Sequence, residues 1–312
     1  MKSAFLFPGQ GPQYEGLLND LPNDPIVKDV LEESSEILKI PIDTLHSKQS
    51  LSTTKAVQQC LLIASVSTYK VFEKNGIVPS YVAGHSVGAF GAAVASGVIS
   101  FEEALKLVTL RGELMEQTCD TGYGMAVVLG LDEDQLSEIV NNFFHKEEPV
   151  YVSNRNSPTQ ITLSGSLKGL EKVIDYVKSH GAINAHLLNV STPSHCPLFQ
   201  NVSEKLLNEL DKLNLKRPKI PISSNINSRL LRQADAVKED LANSICYPVR
   251  WHDSVNLLYE IGTRLFIEMP PGDVLSKLAN QAFSDVRTIA ISKNSIEDCF
   301  YLHSGEDSNL YR

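Results

Sequence analysis

The chain has 312 residues, 42% of them hydrophobic and 21% charged, the composition of a globular protein long enough for one large domain or two smaller ones. Its formal net charge is -9 and it carries no dense Lys/Arg block, so the electrostatic footprint of a DNA or RNA binder is missing. The apolar run at Ala4–Phe7 is too short for a signal peptide, and no later stretch reaches the ~18 apolar residues of a membrane helix, so a cytoplasmic protein with no membrane partner is expected.

Ala4–Phe7 reads as a buried strand stopped by Pro8-Gly9-Gln10-Gly11-Pro12. That loop has neither Gly-x-Gly-x-x-Gly nor Gly-Lys-Ser/Thr, which argues against a nucleotide-phosphate cradle. It can instead bring backbone amides and the Gln10 side chain to the mouth of a site at the carboxyl ends of parallel strands. Helical apolar spacing covers 26–38 and 56–72, with Gly76 as a C-cap.

Tyr81-Val82-Ala83-Gly84-His85-Ser86-Val87-Gly88 is a short apolar strand running into Gly-x-Ser-x-Gly, followed by the small-residue run 89–94. This is the strand–turn–helix setting of a nucleophile elbow. Flanking glycines allow the sharp turn, which lifts Ser86 clear of the sheet and leaves the Val87 amide free to donate to a developing oxyanion. The helix predicted at 101–119 is capped by Ser100 and Glu103 and places Leu107, Arg111 and Met115 on one face. An arginine on an apolar stripe reads either as a snorkelling surface residue or as a group held at a pocket.

From Gly122 the pattern changes. Strands at 125–129, 150–153, 160–163 and 185–190 and helices at 133–143 and 167–179 give β-α-β-β-α-β, the ferredoxin-like signature, as an insertion. Beyond it, strands at 220–223, 264–268 and 288–291 alternate with helices at 197–213, 234–245, 251–261 and 274–281. The expected fold is therefore α/β. An α/β-hydrolase-like core with a mostly parallel sheet (1–121 and 191–312) carries a small ferredoxin-like subdomain (122–190). The polar tail from Ser295 is expected to be loosely held.

A serine hydroxyl needs a base in hydrogen-bond reach. Of eight histidines, His195 in the loop 191–197 is the best placed, where the insertion rejoins the sheet that carries the elbow; a satisfied structural histidine is the other reading. No acid between Ser86 and His195 stands out as a third member, which leaves room for an imidazole oriented by a backbone carbonyl. The five cysteines, Cys60, Cys119, Cys196, Cys246 and Cys299, are scattered, so no metal site and no disulfide framework is expected.

Taken together, Phe-Pro-Gly-Gln-Gly at 7–11, Gly-His-Ser-Val-Gly at 84–88, Leu-Arg-Gly-Glu-Leu-Met at 110–115, Pro-Ser-His-Cys at 193–196 and Pro-Val-Arg-Trp at 248–251 resemble the malonyl-CoA:acyl-carrier-protein transacylases, from residue 3 to about 292. The resemblance implies Ser86 as the acylated nucleophile and His195 as its base. It implies Gln10 and the Val87 amide as the oxyanion hole, and Arg111 as a bidentate clamp on the substrate's free carboxylate. The histidine would be oriented by the backbone carbonyl of Ser244, where relatives often have glutamine.

Relatives serving fatty-acid and polyketide synthesis usually have Glu after Gly-His-Ser-x-Gly, whereas this chain has Ala89-Phe90. With Gly122–Met125, Pro158–Gln160 and Glu268–Gly272, this looks most like the epsilon (transacylase) subunit of malonate decarboxylase. The implied reaction moves malonyl from malonyl-CoA to the phosphopantetheine-type thiol of an acyl carrier protein, such as a decarboxylase carrier subunit, with no permanently bound cofactor. The alternatives are the transacylase of fatty-acid or trans-acyltransferase polyketide synthesis, an acyl-thioester hydrolase using the same pair, and a non-enzymatic scaffold. Retention of Ser86, His195 and Arg111 argues against the scaffold.

Overall fold

A computed structural model of the chain describes residues 1–118, 121–190 and 192–304. The first half runs β1 (Lys2–Phe7), α1 (Pro25–Leu38), α2 (Ile42–Leu45), α3 (Thr54–Lys74), β2 (Tyr81–Gly84), α4 (Gly88–Ala95) and α5 (Phe101–Thr118). Then come β3 (Tyr123–Leu129), α6 (Glu133–Phe143), β4 (Val150–Ser157), β5 (Gln160–Ser166), α7 (Leu167–Ser179) and β6 (Asn184–Leu187). The chain continues through α8 (Gln200–Leu210), β7 (Ile222–Ser223), β8 (Leu230–Leu231), α9 (Ala234–Asn243) and α10 (Trp251–Glu260). It ends with β9 (Thr263–Glu268), α11 (Val274–Ala282), β10 (Arg287–Ala290) and α12 (Ile296–Ser304).

The large sheet has the order β10-β9-β1-β2-β7-β8 and is parallel except for β8, which pairs antiparallel with β7. Side-chain alternation covers both of its faces. Phe5, Phe7, Val82, Leu265 and Ile267 pack into one apolar cluster with α3, α4 and α5. Ala4, Leu6, Tyr81, Ala83 and Phe266 pack into another with Trp251, Leu258 and Leu278 of α10 and α11. β1 and β2 lie side by side near the centre, so the loops after them, carrying Gln10 and Ser86, meet at one carboxyl edge.

The second sheet is antiparallel with the order β4-β5-β3-β6, the arrangement of a βαββαβ unit. Ile161 and Leu163 of β5 pack with Leu136, Val140, Leu170 and Val173 of α6 and α7. Alternating with them, Thr162 and Ser164 point the other way, as period 2 demands. Thr162 lines the cleft beside the large sheet, and the Ser164 hydroxyl donates to the Ser194 carbonyl at 2.5 Å.

Several expectations change: the strand expected at 185–190 is β6, ending at Leu187, and that expected at 220–223 shortens to β7. Strands β4 and β5 extend to Ser157 and Ser166, past the apolar runs that signalled them, because antiparallel pairing continues through polar residues. The predicted helix 197–213 is a short 3-10 turn over Pro197–Phe199 followed by α8, with Pro197 at the first-turn position where no N–H is needed. Ser295 opens α12 instead of a loose tail. Cys299 is fully buried, the Phe300 ring lies 5.1 Å from Phe72, and Ser295 and Asp298 cap the helix reciprocally. The i, i+3, i+4 stripe of Ile296, Cys299 and Phe300 explains this. Cys119, Ser191 and residues 305–312, on which parts of the predicted helix, loop and tail fall, lie outside the described residues.

Candidate active site

Ser86 sits between β2 and α4 with φ of 54°, in the left-handed region that non-glycine residues rarely occupy. Glycines make the elbow possible by close approach. A Cβ on Gly84 would lie 2.2 Å from the Gly88 carbonyl carbon, and one on Gly88 would lie 2.1 Å from the Phe7 carbonyl oxygen. Asn225, just after β7, clasps the turn from the side. Its Oδ1 accepts from the Ser86 amide and its Nδ2 donates to the Gly84 carbonyl, both at 2.9 Å. Asp240 of α9 in turn holds the backbone of Asn225 and Ile226 and the Ser224 hydroxyl.

His195 reaches Ser86 across 109 residues of chain, with Nε2 2.8 Å from the serine Oγ. Its Nδ1 lies 2.6 Å from the carbonyl oxygen of Ser244. A carbonyl can only accept, so Nδ1 carries the proton and Nε2 is left as the acceptor for the serine hydroxyl. Ser244 is the C-cap of α9, and helix ends leave carbonyls unpaired, which is why one is free to do this. His195 has φ of 64°, and its amide donates to the Ile245 carbonyl at 2.8 Å. Burial, then the nearby charge of Arg111, push the imidazole down to about 3, so it is neutral at physiological pH.

Arg111 is 1% exposed, which decides between the two readings of an arginine on an apolar stripe. Its Nη2 donates to Ser86 Oγ at 3.1 Å, its Nη1 lies 3.4 Å from the Met115 sulfur, and its Nε has no partner among the described residues. Gln58 of α3 also donates to that sulfur, at 3.1 Å, and its own Oε1 has no partner among the described residues. Burial lowers the guanidinium's pKa from its ordinary value. A buried cation facing only a thioether and a hydroxyl is an uncompensated charge, which an incoming carboxylate would relieve.

Gln10 lines the same small cavity as Ser86, His195 and Met125. Val87 is the N-cap of α4, so its amide belongs to the donors that a helix start leaves over. The structure therefore gathers Ser86, His195, Arg111, Gln10, Val87 and Ser244 into one site. His85, beside the nucleophile, lines the same cavity but its ring is not hydrogen-bonded to Ser86; its Nε2 lies 3.1 Å from Asn156 Oδ1 of β4. His180 and His186 are exposed on the small sheet's unit.

Sequence reasoning passes over Asn225, Gln58 and the Met115 sulfur. The Ser-Ser-Asn that ends β7 at the carboxyl edge is a legible signal for the first; nothing in the spacing of α3 marks Gln58. Among the described residues no group of His, Cys, Asp and Glu could hold a metal ion, and no helix is long and apolar enough to cross a membrane.

An elbow serine on a histidine acceptor, with a buried guanidinium on the same hydroxyl, defines an α/β site equipped to carry an acyl group on serine and to favour one that ends in an anion. The chain belongs to the acyl transferase domain family, which matches residues 4–299. It is similar to the malonyl CoA-acyl carrier protein transacylase of Bacillus subtilis (strain 168), 36% identical over 296 residues that cover 93% of each chain. Among solved structures it is similar to FabD from Acinetobacter baumannii, at a TM-score of 0.92 and 31% identity over 98% of this chain and 99% of that one. It also resembles a malonyl-transacylase solved in complex with its type II polyketide synthase acyl-carrier protein, at a TM-score of 0.89 and 33% identity over 94% of this chain and 96% of that one.

Proposed function

We propose that the chain is a malonyl-CoA:acyl-carrier-protein S-malonyltransferase working by ping-pong transfer through Ser86. The Ser86 proton passes to His195 Nε2 as Oγ attacks the thioester carbonyl. Gln10 and the Val87 amide receive the negative charge on oxygen, the carbon–sulfur bond breaks, and the imidazolium protonates the departing CoA thiolate. A carrier thiol then repeats the steps in reverse order and collects the malonyl group. Three bonds separate the ester oxygen from the malonyl carboxyl carbon, which places that carboxylate beside the Arg111 guanidinium.

The observation that carries this reading is the buried Arg111 on the Ser86 hydroxyl. It supports an acyl group with a free acid over a plain one, and the names of the relatives agree. We further propose that residues 1–121 and 191–312 form the catalytic core and 122–190 a small subdomain, and that the protein works in the cytoplasm. The second reading, as the transacylase subunit of malonate decarboxylase, is favoured by Ala89, which is 2% exposed at the position where glutamate is usual in synthase relatives.

The test is transfer from malonyl-CoA to two purified holo-carriers, one from fatty-acid synthesis and one of the malonate decarboxylase type, followed by intact mass. Malonylation of either carrier, with little free malonate, is expected; preference for the second carrier supports the second reading. CoA release with free malonate and no carrier product would make the protein a hydrolase.

A further inference from the structure

One turn of α9, from Asp240 to its C-cap Ser244, reaches both members of the reacting pair. Asp240 is buried, and three donors converge on its two carboxylate oxygens. These are the Ser224 hydroxyl, the Asn225 amide at 3.2 Å and the Ile226 amide at 3.3 Å. Asn225 passes this hold on to the nucleophile, because its side chain takes the Ser86 amide and gives to the Gly84 carbonyl. At the other end of the turn, Ser244 donates its amide to the Asp240 carbonyl at 3.0 Å and offers its own carbonyl to His195 Nδ1. The next carbonyl, of Ile245, accepts from the His195 amide. Ser86 and His195 are 109 residues apart in the chain, and each has a positive φ that its surroundings must hold in place. A buried carboxylate is costly to desolvate, and an asparagine in its place would set an N–H against one of the converging donors.

We propose that Asp240 is a positioning residue for the transfer reaction, setting the separation of Ser86 Oγ and His195 Nε2 by tying the elbow, through Asn225, to the helical turn that orients the imidazole. This rests on the malonyl-transfer reading for the reaction it serves. Four residues of α-helix rise about 6 Å and are closed by their own hydrogen bond, so the turn is a spacer that resists stretching. The elbow hangs from its first residue and the base from its last two carbonyls. A shift of either end lengthens the 2.8 Å contact along which the serine proton moves. Acylation and the return step to the carrier use that same line, so both depend on the bracket. Arg111 belongs to α5 and stands outside it, which separates the reactivity of the pair from the choice of acyl group.

The experiment compares the wild type, Asp240→Asn, Asn225→Ser and the double variant, each first shown to be folded by thermal melting. Asn225→Ser breaks the same link from its other end and carries the test if Asp240→Asn does not fold. Two reagents are used: malonyl-CoA, and an alkyl fluorophosphonate that has neither a carboxylate nor a CoA arm. The fluorophosphonate forms a P–O bond at Ser86 Oγ and expels fluoride, while the serine proton passes to His195. For each single variant, the maximal rate of malonyl acylation is expected to fall about 10- to 100-fold with the half-saturating concentration within about threefold. Fluorophosphonate labelling should slow by a similar factor, and the malonyl-over-acetyl ratio should stay within about twofold of wild type. The double variant should be no more than about twofold slower than the slower single, because both changes cut one link. Wild-type rates in a folded Asp240→Asn, loss on malonyl-CoA alone, or losses that multiply in the double variant would overturn the bracket. A wild type that takes the fluorophosphonate on Ser86 but no malonyl would overturn the transfer reading and leave the bracket to be read from the labelling rates.

Discussion

Arg111 Nη2 donates to the Oγ of Ser86 at 3.1 Å, so a buried cation rests on the same oxygen that faces His195. One group is thereby placed to act on both the acyl group of the proposed substrate and the proposed base. In the proposed reaction it pairs with a carboxylate, and without one its charge adds to burial, the larger cause, in depressing the basicity of His195. A malonyl group relieves both conditions by neutralising the guanidinium, and an acetyl group relieves neither.

Replacing the cation should therefore change acyl preference more than it changes the chemistry. Arg111→Ala is expected to lower malonyl acylation by about 10- to 100-fold while leaving acetyl acylation unchanged or higher. Stopped-flow acylation with malonyl-CoA and acetyl-CoA reads this ratio. Equal loss for both donors would show that Arg111 does not read the carboxylate.

The Met115 sulfur is approached by two donors, from Gln58 and Arg111. Met115→Leu keeps the volume, for a packing cost under about 1.5 kcal/mol, but leaves both donors without an acceptor. The expected result is a folded protein whose malonyl-over-acetyl ratio falls about 3- to 10-fold, the lower end of the range for a lost hydrogen bond. A ratio unchanged from wild type would show that the thioether only fills space.

Most of the architecture is legible in the sequence because its strands are short apolar runs and its helices carry strong apolar stripes. The elements of the inserted unit are predicted within a few residues, and α6 and α7 to the residue. What escapes is of two kinds. β8, at two residues, is too short for any periodicity and exists only because β7 offers an edge. Within the site, Ser86 announces itself by its glycines, but Asn225 and Gln58 act through contacts 139 and 57 residues away in sequence. Tertiary folding alone creates those contacts. The Ser244 carbonyl could be anticipated only by resemblance, since a backbone group leaves no mark in residue type.

The pH profile follows from His195. Its ordinary value is about 6.5, and burial with Arg111 pushes it to about 3. In its proposed role as base His195 works in the neutral form, so acylation should hold as pH falls through 6 and decline only below about pH 5. Because the unfolded state takes up the proton first, the histidine's contribution to stability is present above about 6.5 and is lost as pH falls toward 3. An acid limb with its midpoint near 6.5 in single-turnover acylation would contradict this.

Glu268, at the end of β9, shifts the other way. It is fully buried, its Oε2 accepts from the Ser276 amide at 2.7 Å, its Oε1 has no partner among the described residues, and burial pushes it up to about 7. A raised carboxyl value means that stability is present at low pH, below the unfolded value of about 4.3, and is lost as pH rises through about 7. Relative to Glu268→Gln, the wild type should lose about 1–2 kcal/mol of stability between pH 6 and pH 8.5 by urea unfolding. Parallel pH dependences would show that the carboxyl is ionised throughout.

The most direct test of the account is the intact mass of wild type and Ser86→Ala after separate incubation with malonyl-CoA and acetyl-CoA. A malonyl adduct on the wild type, little acetyl adduct, and none of either on Ser86→Ala, which should unfold at nearly the same temperature, are expected. A malonyl adduct that persists in Ser86→Ala would contradict it, because the acyl group would then travel on another residue.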